Sequence, residues 1–214
     1  NNNTAAIQFY WTFDSTPPTM LITSAEVSNG DTSNDAALTM TFEASEETTN
    51  FAEGDIMVSG GALSGFAQTS PTIYTATFTP SSDGATTIDV AGSTFKDSAG
   101  NNNSAATQFN WTFNSTAPTM TITAIEAADG DTSRHSTLLL TFTSSEATAD
   151  FAVGDITVSG GALSDFTQET PTEYRATFTP TTDGATTIDV DGSAFRDSAG
   201  NNNTAAPQFN WTFN

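Results

Sequence analysis

Apolar and polar residues alternate with a period of two along most of this chain. Leu38, Met40 and Phe42 share one face, with Thr39, Thr41 and Glu43 on the other. Tyr74, Ala76 and Phe78 alternate with Thr75, Thr77 and Thr79, and Ile88 and Val90 with Thr87 and Asp89. Phe109, Trp111 and Phe113 alternate with Asn110 and Thr112, and Met20 and Ile22 follow the same rule. Successive side chains of an extended strand point to opposite faces, so the pattern predicts strands with one buried and one wet face. No stretch carries a helical period. Turn-forming clusters separate the runs: Asn29-Gly30-Asp31, Gly60-Gly61, Ser70-Pro71, Ser82-Asp83-Gly84 and Ala99-Gly100-Asn101. About seven short strands at this spacing predict an all-β fold, an antiparallel β-sandwich.

The pattern occurs twice. Residues 15–114 and 115–214 align without a gap, with about two thirds of positions identical. Each is large enough to bury a core of its own, so each is predicted to be one domain. Residues 1–14 match 101–114 and 201–214. They are predicted to be the final strand of a preceding repeat plus its linker, so the chain reads as a window from a longer tandem array. The linkers are Asp14-Ser15-Thr16-Pro17-Pro18-Thr19 and Asn114-Ser115-Thr116-Ala117-Pro118-Thr119. Both are short and contain proline, unlike a flexible Gly/Ser tether.

Charge narrows the set of partners. The net charge of −21 comes from 25 acids against four bases, Lys96, Arg134, Arg175 and Arg196. Such a surface repels nucleic acid and anionic membrane. No apolar run is long enough to span a bilayer, and with no Cys there is no disulfide framework. The expected partners are therefore neighbouring repeats of the same protein, or copies of it, with no nucleic acid and no direct membrane insertion.

The acids recur at fixed places. On an up-and-down path, alternate loops return to the end of the sandwich where the linker enters. These are the loop from Ser45-Glu46-Glu47 to Gly54-Asp55 and the loop Phe95 to Asn103. Glu46, Asp55 and Asp97 are therefore expected to converge near Asp14, and Glu146, Asp155 and Asp197 near Asn114. Clustered carboxylates repel unless a cation joins them. All-oxygen ligands without Cys or nearby His favour Ca2+ over zinc or copper. Asp97-x-x-Gly100-Asn101-x-Asn103 adds further oxygen groups around a turn. The alternative is a set of solvated loop acids, with Asp55 and Asp155 capping turns. Asp31, Ser33 and Asp35 have the spacing of the start of a calcium loop, but the second repeat has His135 in the last place, and ordinary turn chemistry is the expected reading.

These residues carry a family likeness. The strings TFEASEETTNFAEGDIMVSGGALSGF, YTATFTPSSDGATTIDV and FKDSAGNNNSAATQFNWTF resemble the bacterial-type Ig-like repeats of large calcium-dependent surface adhesins. The resemblance covers both repeats and implies tandem Ig-like sandwiches that act as calcium-stiffened extenders at a cell surface or in a secreted fibre. It also implies ligands at Asp14, Glu46, Asp55, Asp97 and Asn101, and at Asn114, Glu146, Asp155, Asp197 and Asn201. Asn114 departs from the Asp that the family linker carries, and brings one less negative charge.

Other readings compete. An enzyme is not expected: His135 is the only His, and acids recurring in every repeat suit structure better than catalysis. A carbohydrate site would need an exposed aromatic, whereas Trp111 falls on the core face. Ice binding would need a flat Thr array, which twisted sheets rarely provide. In a filament, residues 1–14 would donate an orphan strand head to tail to a neighbour's sheet. Sequons at Asn2, Asn102, Asn110, Asn114, Asn202 and Asn210 are candidate glycosylation sites, and Asn110 and Asn210 are expected on the wet face of an edge strand.

Overall fold

Eight strands build the first repeat: β1 (Met20–Ser24), β2 (Thr32–Ser33), β3 (Leu38–Ala44), β4 (Ile56–Ser59), β5 (Gly61–Gln68), β6 (Ile73–Pro80), β7 (Gly84–Val90) and β8 (Phe109–Phe113). The computed structural model describes residues 3–214. One sheet has the order β1-β3-β6-β5 and the other β2-β8-β7-β4. The second repeat repeats this plan with β9 (Met120–Ala124), β10 (Thr132–Ser133), β11 (Leu138–Ser144), β12 (Ile156–Ser159), β13 (Gly161–Gln168), β14 (Glu173–Pro180), β15 (Gly184–Val190) and β16 (Phe209–Phe213). Its sheets run β13-β14-β11-β9 and β10-β16-β15-β12. The chain divides into two compact units, the first mainly up to Phe113 and the second mainly Asn114–Asn214. No helix among the described residues is long and apolar enough to cross a membrane.

The alternation read from the sequence is the alternation of burial. Leu38, Met40 and Phe42 of β3 are buried with Ala76 and Phe78 of β6, Ile88 and Val90 of β7, and Trp111 of β8. The Trp111 ring meets Phe78 edge-on at 6.2 Å between centroids, an arrangement the ring quadrupoles favour. A second aromatic group closes the other end of the core. Phe51 stands edge-on to Tyr74 at 4.9 Å and to Phe95 at 5.2 Å. Phe151, Tyr174 and Phe195 repeat it in the second unit.

The path between strands is not up-and-down. β4 pairs with β7 in one sheet, and the next strand, β5, pairs with β6 in the other. The crossing falls at Gly60-Gly61, where Gly60 has φ +78°. A Cβ on Gly61 would lie 2.4 Å from the Thr79 carbonyl oxygen and 2.5 Å from the Phe78 ring. Only glycine lets the strand pass this close to its neighbour.

The final strand is also not an edge. β8 lies between β7 and the two-residue β2. Beyond β2, the Asn110 carbonyl accepts from Gly30 N–H at 2.7 Å, and Asn110 N–H donates to the Asn29 side chain at 2.7 Å. The Asn29 turn thus occupies backbone groups that an edge would expose. Asp129 and Gly130 do the same for Asn210.

Residues 3–14 form no strand. Ile7, Phe9, Trp11 and Phe13 are exposed, Trp11 at 75%. The period-two pattern is present there without strand pairing.

Candidate metal centre

Three contacts bring the acids of the first repeat together. Met20 pairs with Ala44 at the end of the β1–β3 ladder, so the chain leaving β3 runs beside the linker entering β1. Ser45 N–H then donates to the Thr19 carbonyl, and Thr19 N–H to Ser45 Oγ, both at 3.0 Å. This sets Glu46 against the linker. The Phe95–Asn103 loop arrives from the other sheet. Thr48 and Asp97 form an isolated β-bridge, Thr49 N–H donates to the Lys96 carbonyl at 2.9 Å, and Ser104 N–H donates to the Pro18 carbonyl at 3.0 Å. As a result, one carboxylate oxygen each from Asp14, Glu46 and Asp97 lies within 4.8 Å of the others.

The three acids differ in setting. Asp14 is exposed, Glu46 half-buried and Asp97 buried. The Glu46 carboxyl is held above its ordinary range, first by burial, then by the charges of Asp14 and Asp97 and a hydrogen bond to Asp14. Burial also opposes ionisation of Asp97, but hydrogen bonds from the Asn101 side chain and from the backbone of Asn101, Gly100 and Ala99 outweigh it and hold its carboxyl low. Asp97 is thus a built-in anion, while Glu46 ionises against its neighbours. A hard cation with oxygen ligands suits this donor set, since it would offset the repulsion that raises Glu46.

Two of the residues expected here do something else. Asp55 Oδ2 accepts from Ala52 N–H at 2.9 Å and closes the 3-10 turn Glu53–Asp55. Asp155 closes the matching turn on Ala152 at 2.8 Å. Neither belongs to the carboxylate group, because its carboxylate folds back on its own turn. Asn101 turns its NH2 toward Asp97 at 2.8 Å and toward the Asp14 carbonyl oxygen at 3.2 Å. In this arrangement it orients Asp97 and ties it to the linker.

The second repeat assembles the same loops with one difference. Asn201 donates to Asp197 Oδ2 and to the Asn114 carbonyl, each at 2.9 Å. Asn114 then donates its own NH2 to Glu146 at 3.0 Å, where the first repeat sets two carboxylates against each other.

Asn103 and Asn203 escaped the sequence reading as anything but possible oxygen donors. Both are buried. Asn103 Oδ1 accepts from Thr94 and Phe95 N–H, and its NH2 donates to the Ala91 and Ser104 carbonyls. It braces the loop that delivers Asp97. Its recurrence eight residues after Phe95 and Phe195 was the available signal.

The other candidates are turn and surface groups. Asp31 Oδ2 accepts from Ser28 N–H at 2.8 Å, and Asp131 does the same for Ala128. Asn102, Asn110, Asn202 and Asn210 are exposed. Asn114 is half-buried with its amide committed to Glu146. Asn2 lies outside the described residues.

Two packed four-stranded sheets, joined by a crossing at Gly60-Gly61 and repeated in tandem, define a pair of Ig-like β-sandwich domains. The chain belongs to the bacterial Ig-like domain family, whose model matches residues 14–113 and again 114–213. A comparison with curated protein sequences gives no match. Among solved structures, FdeC, an Escherichia coli adhesin, is 13% identical over 94% of this chain and 64% of its own, with a TM-score of 0.47. InvD of Yersinia pseudotuberculosis is 14% identical over 94% of this chain and 58% of its own, with a TM-score of 0.40. Invasin, a bacterial integrin-binding protein, is 16% identical over 79% and 36%, with a TM-score of 0.41. The chain therefore spans less than two thirds of each of these proteins.

Proposed function

We propose that the two repeats are a non-enzymatic spacer in an extracellular surface adhesin or secreted fibre, and that Ca2+ stiffens the linker of the first repeat. The meeting of Asp14, Glu46 and Asp97 within 4.8 Å carries this reading. One of these acids sits on the linker, one on the loop after β3 and one on the loop before β8. A cation held by all three would pin the linker to the sandwich that follows it. Without the ion, their repulsion works against the Asn101 tether. The family membership and the net charge of −21 are consistent with a solvated surface array.

Thermal unfolding and small-angle scattering of the same samples, with calcium chloride or EDTA, test the proposal. A calcium-dependent rise in Tm, with scattering that shows segment 3–14 drawn against the first repeat, supports it. No change in either removes the calcium mechanism.

A second reading rests on the exposed segment 3–14. Ile7, Phe9, Trp11 and Phe13 carry the alternating apolar pattern of a strand and are exposed, and a neighbouring copy could take them up to form a head-to-tail filament. The acceptor would need a vacant final-strand position. In both repeats that position is filled by the chain's own β8 or β16, with Trp111 and Trp211 buried. This favours completion of a preceding repeat over exchange between copies.

A further inference from the structure

We infer that the linker of the second repeat is locked by an amide latch at Asn114 in place of an ion, so that calcium dependence is confined to the first repeat. The inference rests on the calcium reading for the first repeat and departs from it at a single position.

Asp14 and Asn114 occupy equivalent places. Each accepts the backbone N–H two residues on through Oδ1, Thr16 at 2.9 Å and Thr116 at 2.9 Å. Each offers its carbonyl oxygen to the equivalent Asn, Asn101 or Asn201. The two repeats also share the Thr–Ser clasp, Thr19 with Ser45 and Thr119 with Ser145. The remaining atom differs. In Asp14 it is a second carboxylate oxygen, in a side chain that brings one oxygen within 4.8 Å of the Glu46 carboxylate. In Asn114 it is an NH2, and it donates to Glu146 Oε2 at 3.0 Å. One substitution therefore turns a carboxylate pair, which needs a cation or a shared proton between its oxygens, into a charge-assisted hydrogen bond that needs no cation. Among the described residues, a group of acids close enough to share an ion forms at Asp14, Glu46 and Asp97. At the second site, Asp197 is satisfied by Asn201, and Glu146 by Asn114. A calcium ion there would have to displace the Asn114 amide while finding one less negative ligand.

The consequence is a spacer with unlike linkers, one that stiffens with calcium and one that stays latched throughout. Calorimetric titration of the whole chain with calcium chloride, run beside amide NMR of the same chain, tests this. One equivalent is expected to bind, shifting the Asn101 amides and leaving those of Asn114 and Asn201 in place. Asn114→Asp is expected to add a second equivalent, and Asp14→Asn to abolish the first. Two equivalents in the parent, or calcium-induced shifts at Asn114 and Asn201, would overturn the latch.

Absence of calcium binding by the parent would remove the cation reading, and the latch is then decided in EDTA alone. There, the Asn114 side-chain NH2 is expected to exchange slowly with water, because it is held by Glu146, and to lose that protection in Glu146→Ala. If it exchanges as fast in the parent as in Glu146→Ala, the latch is overturned independently of calcium.

Discussion

The side chain of Asn103 accepts the backbone N–H of Phe95 at 2.9 Å, beneath the loop that carries Asp97. The same oxygen takes Thr94 N–H, and the NH2 reaches the Ala91 and Ser104 carbonyls at 2.8 Å each. Asn103 is only 3% exposed, so water cannot replace these partners. Asn103→Ala would strand several buried backbone groups, at a cost of roughly 3 kcal/mol. On a domain of this size the first repeat should then melt on the order of 10–20 °C lower. Differential scanning calorimetry should show the repeats separating into two transitions. An unchanged thermogram would mean that the loop is braced by something other than Asn103.

Much of this architecture could be read before the fold was known, and the reasons are local. The residues on the apolar face of β3, Leu38, Met40 and Phe42, are buried because a strand has a period of two whatever sheet it joins. Trp111 could be placed in the core for the same reason. The site could be read in part, because the linker, the loop after β3 and the loop before β8 do meet. Asp55 was misplaced because nothing in its spacing distinguishes a carboxylate that faces a partner from one that folds back on Ala52 N–H. The crossing of β4 into β5 was missed because Gly60-Gly61 signals a break without saying to which sheet the chain returns. The edge assignment of Asn110 failed because its backbone partners come from the turn at Asn29, far away in sequence.

That crossing can be tested by filling it. Gly61 packs against the Thr79 carbonyl and the Phe78 ring at distances no Cβ tolerates. Phe78 is fully buried and cannot swing away. Gly61→Ala should therefore destabilise the first repeat by roughly 1–3 kcal/mol through overpacking. Gly54→Ala, where an added Cβ meets nothing within 4 Å, is the matched control. Urea unfolding of both variants makes the comparison, and equal midpoints would mean that the strand can shift to make room.

The carboxylates make opposite predictions with pH. Glu46 has a raised folded pKa, caused first by burial and then by Asp14 and Asp97. Its contribution to stability is full below its unfolded value and lost as pH rises through the folded one. Asp97 has a lowered pKa, because its hydrogen bonds outweigh burial, so its contribution is present above its unfolded value and lost as pH falls through the folded one. In EDTA at neutral pH, Glu46→Gln should therefore raise the Tm of the first repeat. Below the carboxylate range the variant and parent should coincide. In calcium at neutral pH the order should reverse, because Gln removes a charged ligand. Thermal melts across pH 3–8, a window spanning the ordinary carboxylate range near 4, check all three. A variant less stable than the parent in EDTA at neutral pH would show that Glu46 is not under strain from its neighbours.

The tryptophans report on the segment 3–14. Trp111 and Trp211 are each 1% exposed, while Trp11 is 75% exposed and meets the Phe13 ring at a tilt, 5.8 Å between centroids. Acrylamide should therefore quench one tryptophan of the three readily, and Trp11→Phe should remove that quenchable fraction while leaving the melt unchanged. Concentration then separates the two assembly readings. With β8 and β16 filling their own sheets, Trp11 should remain equally quenchable as the protein is concentrated. If Trp11 instead became protected as concentration rose, with a parallel rise in particle mass, a neighbour must have surrendered its own final strand. Strand exchange between copies would then be the explanation of this segment.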